Sequence, residues 1–259
     1  MVIVATKQAS QTRSIIKDLE HVVSPNTTLC STQNGITADH ALAAAFPHSP
    51  IISAICYVSL LQSSPGVVVQ DGAGLKPYAF AFGVHKGGRP TEALVNNLVS
   101  KDPMFTYVSS NTTIARWEKM IFNASWNPAC ALLGMDTMEM QSSPLGLKLV
   151  HALAEETYNV AAACGVDLDP SIVDSTKNWA FKNPGYALVP SMLRDYQARK
   201  PMEVDALCGA LVHLAAAQGI HVPTIAAVER LLTDRNLALH DGLVMDMMPD
   251  VKIAQDLKF

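Results

Sequence analysis

The sequence lacks most of the patterns that announce a function. It has no run of about 18 or more apolar residues, which a membrane-spanning helix needs. No basic run offers a surface to nucleic acid: 23 Asp and Glu outnumber 19 Lys and Arg, for a formal net charge of −4. The opening Met1-Val2-Ile3-Val4-Ala5 is too short for a secretory signal core and has no basic flank. The five cysteines (Cys30, Cys56, Cys130, Cys164 and Cys208) are odd in number, spread out and without a C-x-x-C pair. That pattern excludes a disulfide frame and a zinc site, and it reads as buried free thiols of a reducing compartment, the cytoplasm. In such a compartment the sequons at Asn26, Asn111 and Asn123 carry no weight. No histidines cluster at metal spacing: His213 and His221 fall on either side of an expected helix end, and His40, His85 and His151 are isolated, structural or exposed. There is no G-x-S-x-G nucleophile elbow, no internal repeat and no low-complexity segment. There is also no G-x-G-x-x-G turn to hold a pyrophosphate. Gly72-Ala73-Gly74 has Pro77 in the third glycine position and lies between two strand candidates, where a hairpin turn fits better.

What is present is an ordinary globular composition, 49% hydrophobic and 16% charged over 259 residues, enough for one large or two modest cores. Short β-branched runs predict strands at 2–5, 28–32, 51–58, 66–70, 78–84 and 105–108, broken at Ser64-Pro65-Gly66 and Asp71-Gly72-Ala73-Gly74. Helices are expected up to about Leu19, over 39–46 and over 90–99, the last with Pro near its start. From Ile114 onward the pattern is helical almost throughout, with Val204, Leu207, Leu211 and Leu214 at helical spacing, Gly219 at a helix end and Pro223 beyond it. The tail from Asp241 to Phe259 is rich in Met and Asp, and its sequence does not decide whether it forms a final helix over exposed sheet. The division therefore falls at 111/112: residues 1–111 form an α/β part and residues 112–259 an all-helical part.

The polar residues of one segment stand out. Lys119, Asn123 and Asn127, in Trp117 to Pro128, are spaced by four, so on a helix they project within an arc of roughly 80°. The remaining faces (Met120, Ile121, Ala124) are apolar, and their burial would turn the stripe toward a cleft. Buried polar groups cost free energy unless paired, so the stripe is either a satisfied hydrogen-bond network between helices or a binding surface. Pro128 is expected to end or kink the helix because it cannot donate to the carbonyl four residues back.

This segment resembles the junction helix of the ketopantoate reductase family, in which a Lys and two Asn precede a Pro. Thr32-Gln33-Asn34-Gly35 is similar to that family's turn beside the nicotinamide. Pro190-Ser191-Met192-Leu193-Arg194-Asp195, continuing through Arg199-Lys200-Pro201-Met202-Glu203-Val204-Asp205, is similar to its C-terminal substrate signature. The matches run from Val2 to about Leu232. The resemblance implies a Rossmann-type α/β domain, here a remnant, followed by an all-α domain of the 6-phosphogluconate-dehydrogenase type for substrate binding and dimerisation. It implies that Lys119 is the general acid and carbonyl binder and that Glu203, in the first turn after Pro201, holds the Lys or the substrate hydroxyl. Taken alone, Glu203 reads equally as a helix-capping acid. Asn123, Asn127 and Ser191 match substrate binders, Asn34 matches the residue that touches both the nicotinamide ribose and the substrate, and Lys7 matches a residue near the cofactor phosphate. Leu188 replaces a substrate-binding Asn, which implies a more apolar substrate than pantoate.

Family members carry roughly two more βα units before the strand that begins here at Val2. The chain is therefore expected to start mid-domain with a bare sheet edge, and to cover it as a homodimer or by altered packing. With the Lys/Asn/Glu set present and the glycine turn absent, the expectation is a cofactor-independent reaction: isomerisation, cyclisation or cycloaddition of an apolar carbonyl compound activated by Lys119. The alternatives are an NADPH-dependent 2-oxo acid reductase and an inactive scaffold that pairs with a full-length relative.

Overall fold

A computed structural model describes residues 1–7, 15–70, 76–108, 112–182, 185 and 187–240. By internal contacts the chain divides into two compact units, Met1–Arg116 and Trp117–Phe259. The tail from residue 241 to 259 lies outside the described residues, as do residues 71–75.

The first unit is built on a five-stranded sheet of β1 (Val2–Val4), β2 (Leu29–Ser31), β3 (Ile51–Cys56), β6 (Phe80–Lys86) and β7 (Phe105–Tyr107), in the order β1-β2-β3-β6-β7. The strands β1, β2 and β3 are mutually parallel, β6 runs antiparallel to β3, and β7 is parallel to β6. Successive residues of a strand face opposite sides, and both sides are apolar. Leu29 and Ile51 pack with Leu42 of helix α1 (Ala38–Ala45), whereas Cys30 and Ile52 pack with Val95 of helix α2 (Arg89–Val99). Helices on both faces explain why the inner strands read as continuous apolar runs. Lys86, at the end of β6, donates to Ala43 O and Phe46 O, each at 3.3 Å, and to Pro47 O. Its ammonium thus adds a donor to carbonyls at and just beyond the C-terminal end of α1, of which Phe46 O also accepts from Ser49 N at 3.1 Å. The outer edge of β1 has no partner among the described residues, and Ile3 on it is 58% exposed.

The strands on either side of residues 71–75 pair differently from the sequence expectation. The hairpin forms one turn earlier, at Ser64-Pro65-Gly66, and joins β4 (Leu60–Ser64) to β5 (Val67–Gln70) in a separate two-stranded ribbon. The strand β5 therefore does not pair with β6. Leu60-Leu61-Gln62-Ser63-Ser64 has no β-branched residue, so its sequence carries no strand signal.

The second unit is helical: α3 (Thr112–Leu133, begun in the first unit), α4 (Thr137–Gln141), α5 (Pro144–Ala163), α6 (Ser171–Lys177), α7 (Ser191–Gln197), a π-helical turn at Asp205–Gly209, α8 (Ala210–Gln218) and α9 (Pro223–His240). Gly219 closes α8 with φ 67°, the left-handed cap that glycine adopts without strain. Pro128 does not end α3, which continues to Leu133. Its ring removes one donor, and the lost bond is offset by packing of the fully buried Trp126, Ala129, Cys130 and Ala131 around it. The Trp126 indole donates to Thr176 O at 2.9 Å and lies within 6.4 Å of Phe122 and Trp179, fixing α3 against α6.

Candidate functional site

In the second unit, α3 carries the stripe. Lys119 is half-buried, Asn123 is 7% exposed and Asn127 is 5% exposed, while Met120, Ile121 and Ala124 on the other faces are buried. The two amides behave differently. Asn127 is a structural acceptor: its Oδ1 takes the Ser191 hydroxyl at 3.0 Å and the Met192 N–H at 3.2 Å. One carbonyl oxygen thereby fixes the first turn of α7 and the orientation of Ser191 beside the stripe. The Asn123 side chain makes no hydrogen bond to any described residue. A nearly buried amide with open donor and acceptor groups is suited to a ligand.

The approach to Glu203 is fixed from α9. The Asn236 side chain accepts from Met202 N at 3.0 Å and donates to Met202 O at 3.1 Å. Glu203 follows directly and is 3% exposed. The sequence expectation put it in the first helical turn. Instead the helix begins at Val204, and the Glu203 carbonyl accepts the first bond, from Leu207 N at 3.2 Å. The π-helical turn that follows, at Asp205–Gly209, is a feature common next to functional groups. Arg235, one residue before Asn236, donates to Ala131 O at 3.2 Å and lies over the Tyr196 ring at 5.3 Å, so α9 braces both α3 and α7. Leu188, three residues before Ser191, is held through its backbone: its N–H donates to Thr137 Oγ1 at 2.9 Å and its carbonyl accepts from Thr137 N at 3.1 Å. A separate cavity of about 760 Å³ in this unit, lined by Leu147, Lys148, His151, Glu156, Lys177 and Thr224 among others, includes none of the stripe residues.

In the first unit, the loops after the parallel strands β1 and β2 are joined by side-chain bonds. Gln33 Nε2 donates to Thr6 O at 3.1 Å and to Thr6 Oγ1 at 3.2 Å. Lys7 follows Thr6 and is exposed; Asn34 follows Gln33 and is half-buried; Gly35 takes φ 86°. Carboxyl ends of parallel strands are where open α/β sheets take nucleotides, and a glycine there lets the backbone come close. These residues fit the nicotinamide-ribose end of a dinucleotide. A phosphate cradle is not among them.

The sequence reading missed Arg116, the most connected side chain of this unit. Its Nε donates to Ser53 Oγ at 2.7 Å and pairs with Asp39 Oδ2 at 2.7 Å. One terminal nitrogen donates to Gln33 O at 2.8 Å and Gly35 O at 3.2 Å; the other donates to Ser31 O at 3.2 Å and Asp39 Oδ1 at 3.1 Å. Both charges are buried. No local pattern couples residues 77 positions apart. The only sequence signal was a charged residue one turn before Lys119 in an apolar helix. The histidines need a correction too: His40 and His85 are not isolated but form an edge-to-face pair with ring centroids 4.7 Å apart. Burial, ahead of its charged neighbours, holds the His85 pKa below the ordinary value. Cys30, Cys130 and Cys208 are buried as expected, and burial pushes the Cys30 and Cys208 thiols up to about 12. Cys56 and Cys164 are only half-buried. Among the described residues no group of His, Cys, Asp or Glu could hold a metal ion, and no helix is long and apolar enough to cross a membrane.

Comparison with known proteins supplies the context. The family described as ketopantoate reductase PanE/ApbA matches residues 1–81, and its C-terminal counterpart matches residues 111–236. A 2-dehydropantoate 2-reductase of Halobacterium salinarum is 28% identical over 211 residues, covering 81% of this chain and 67% of the relative. The crystal structure of 2-dehydropantoate 2-reductase from Methylococcus capsulatus superposes with a TM-score of 0.76 at 28% identity, covering 92% of this chain and 74% of that one. A D-mandelate dehydrogenase solved with NADH and anilino(oxo)acetate shares the fold, with a TM-score of 0.77 at 20% identity over 92% of this chain and 76% of that one. With a mixed α/β sheet unit followed by a helical unit, and with both family descriptions matched in order along it, this chain belongs to the ketopantoate reductase (PanE/ApbA) family.

Proposed function

We propose that the protein is an NADPH-dependent reductase of 2-oxo acids, with residues 1–111 serving the cofactor and residues 112–259 the substrate. The single observation that carries this reading is the split between the two amides of α3. Asn127 locks Ser191 in place, and Asn123, four residues away on the same helix, keeps its hydrogen-bonding groups for a ligand. The named activity of the relatives, reduction of 2-dehydropantoate, supplies the reaction class.

In this reading Lys119 donates a hydrogen bond, then a proton, to the keto oxygen as negative charge develops there. A positioned general acid of this kind contributes about 10²- to 10⁴-fold. Asn123 and Ser191 hold the acid's oxygens. The buried Glu203 carboxylate orients the ammonium or the nascent hydroxyl. NADPH supplies the hydride, and Asn34 and Lys7 are the residues of this chain that would meet its ribose and phosphate. Leu188 in place of an Asn favours a 2-oxo acid with an apolar substituent. The D-mandelate dehydrogenase that shares this fold was solved with anilino(oxo)acetate, which joins an aryl group through nitrogen to an oxoacetate. A homodimer and a cytoplasmic location belong to the same proposal.

The cofactor-independent isomerase or cyclase and the inactive scaffold rest on the want of a glycine-rich turn. A chain spanning about two thirds of a relative's length gives no argument from that want. The test is to follow NADPH consumption with 2-dehydropantoate and with phenylglyoxylate. Oxidation of NADPH coupled to formation of the 2-hydroxy acid supports the proposal. Turnover of a carbonyl compound without NADPH, or no NADPH binding at all, refutes it.

A further inference from the structure

Arg116 and Asp39 do more than close a core. Every one of the five guanidinium N–H groups has an acceptor: Nε faces Ser53 Oγ and Asp39 Oδ2, and the terminal nitrogens take Gln33 O, Gly35 O, Ser31 O and Asp39 Oδ1. The two carbonyls on one nitrogen, Gln33 O and Gly35 O, are those that flank Asn34. Binding both fixes the peptide that enters Asn34 (Gln33–Asn34) and the one that leaves Gly35 (Gly35–Ile36), so the Asn34-Gly35 pair is held at its two ends. Gly35, at φ 86°, permits the reversal, and the Gln33 amide fastens the turn to Thr6 from the other side. Asp39 holds the guanidinium in a two-point fork, through Nε at 2.7 Å and a terminal nitrogen at 3.1 Å, which sets the plane in which the remaining donors lie. An apolar pair of similar volume would stabilise such a core at least as well. What the ion pair adds is fixed geometry at three backbone carbonyls.

We propose that the Arg116–Asp39 fork is the positioning element of the Asn34 turn, setting the backbone geometry with which that turn meets the nicotinamide end of the cofactor. This rests on the reductase reading for the identity of the ligand, and on the geometry alone for the clamp. Arg116 and Asp39 are positioning residues: they act through the turn and do not meet the substrate. A lysine keeps the charge but has no planar fork, so it cannot serve Asp39 and the carbonyls together.

The experiment compares the wild-type protein with Arg116→Lys in two measurements. Hydrogen exchange without cofactor reads the amides of residues 32–36 against those of β3 and β6. NADPH fluorescence titration reads the dissociation constant, alongside kcat at saturating NADPH. Arg116→Lys is expected to speed exchange in the turn at least tenfold with β3 and β6 unchanged, and to raise the NADPH dissociation constant at least tenfold with kcat within threefold. Exchange within twofold of the wild type overturns the clamp. Faster exchange with an unchanged dissociation constant overturns its role toward the cofactor. If Arg116→Lys does not fold, Asp39→Asn, which keeps size and one acceptor, is judged by the same readouts. A wild type that binds no NADPH overturns the reductase reading and the cofactor part of this proposal, while the exchange result still decides the clamp.

Discussion

Replacing Asn127 with alanine tests the Ser191 placement most sharply. The substitution removes the acceptor for two donors, the Ser191 hydroxyl at 3.0 Å and the Met192 N–H at 3.2 Å. Two net hydrogen bonds are worth about 1 kcal/mol each, and an orphaned buried donor adds a penalty of about 1–3 kcal/mol. Met192 is 0% exposed, so its N–H has no access to water, whereas exposed Ser191 can rehydrate. The expected loss is therefore about 3–5 kcal/mol for Asn127→Ala and at most about 1 kcal/mol for Ser191→Ala. All three tryptophans (Trp117, Trp126 and Trp179) fall in the second unit, so urea unfolding followed by tryptophan fluorescence reports that unit alone. Because the partners touch, the double mutant should lose less than the sum of the singles. An Asn127→Ala loss below about 0.5 kcal/mol, or strict additivity, would refute the shared-acceptor geometry.

Other outcomes follow from single contacts. Lys86→Met should destabilise the first unit by about 1–2 kcal/mol, because Ala43 O and Pro47 O lose the Lys86 donor while Phe46 O keeps only Ser49 N; thermal unfolding of the variant checks this. Burial lowers the His85 pKa, so the unfolded chain binds the proton more readily than the folded one. Stability should then fall as pH drops below the ordinary histidine value of 6.5, and His85→Gln should flatten that slope in urea titrations across this range. A thiol reagent at neutral pH should label Cys56 in the native protein and Cys164 more slowly, because burial raises the Cys164 pKa as well. Cys30, Cys130 and Cys208, buried with raised pKa values, should react only in denaturant, as peptide mapping would read.

The legible parts of this molecule were those encoded locally. The four-residue spacing of Lys119, Asn123 and Asn127, the β-branched runs of the sheet and the change to helical periodicity after residue 111 all depend on neighbours in sequence, and each led to the observed element. What was not legible depends on distant partners. The Arg116–Asp39 fork and the Asn236 brace on Met202 join positions far apart in sequence, and neither leaves a periodic trace. Pro128 was read by its local rule, but the packing of a buried helix overrode that rule. The Leu60–Ser64 strand had no propensity to reveal it, so the hairpin was assigned to the wrong glycines. The different hydrogen bonding of Asn123 and Asn127 was equally hidden, since spacing gave them the same face and only the position of α7 separates them.

The account depends above all on the Lys119 ammonium as the group that protonates the keto oxygen. The most direct measurement is kcat of Lys119→Met with saturating NADPH and phenylglyoxylate or 2-dehydropantoate, alongside the NADPH dissociation constant. A fall of about 10²-fold or more in kcat, with the dissociation constant within about threefold of the wild type, is the predicted result. A variant that turns over within about threefold of the wild type would contradict it.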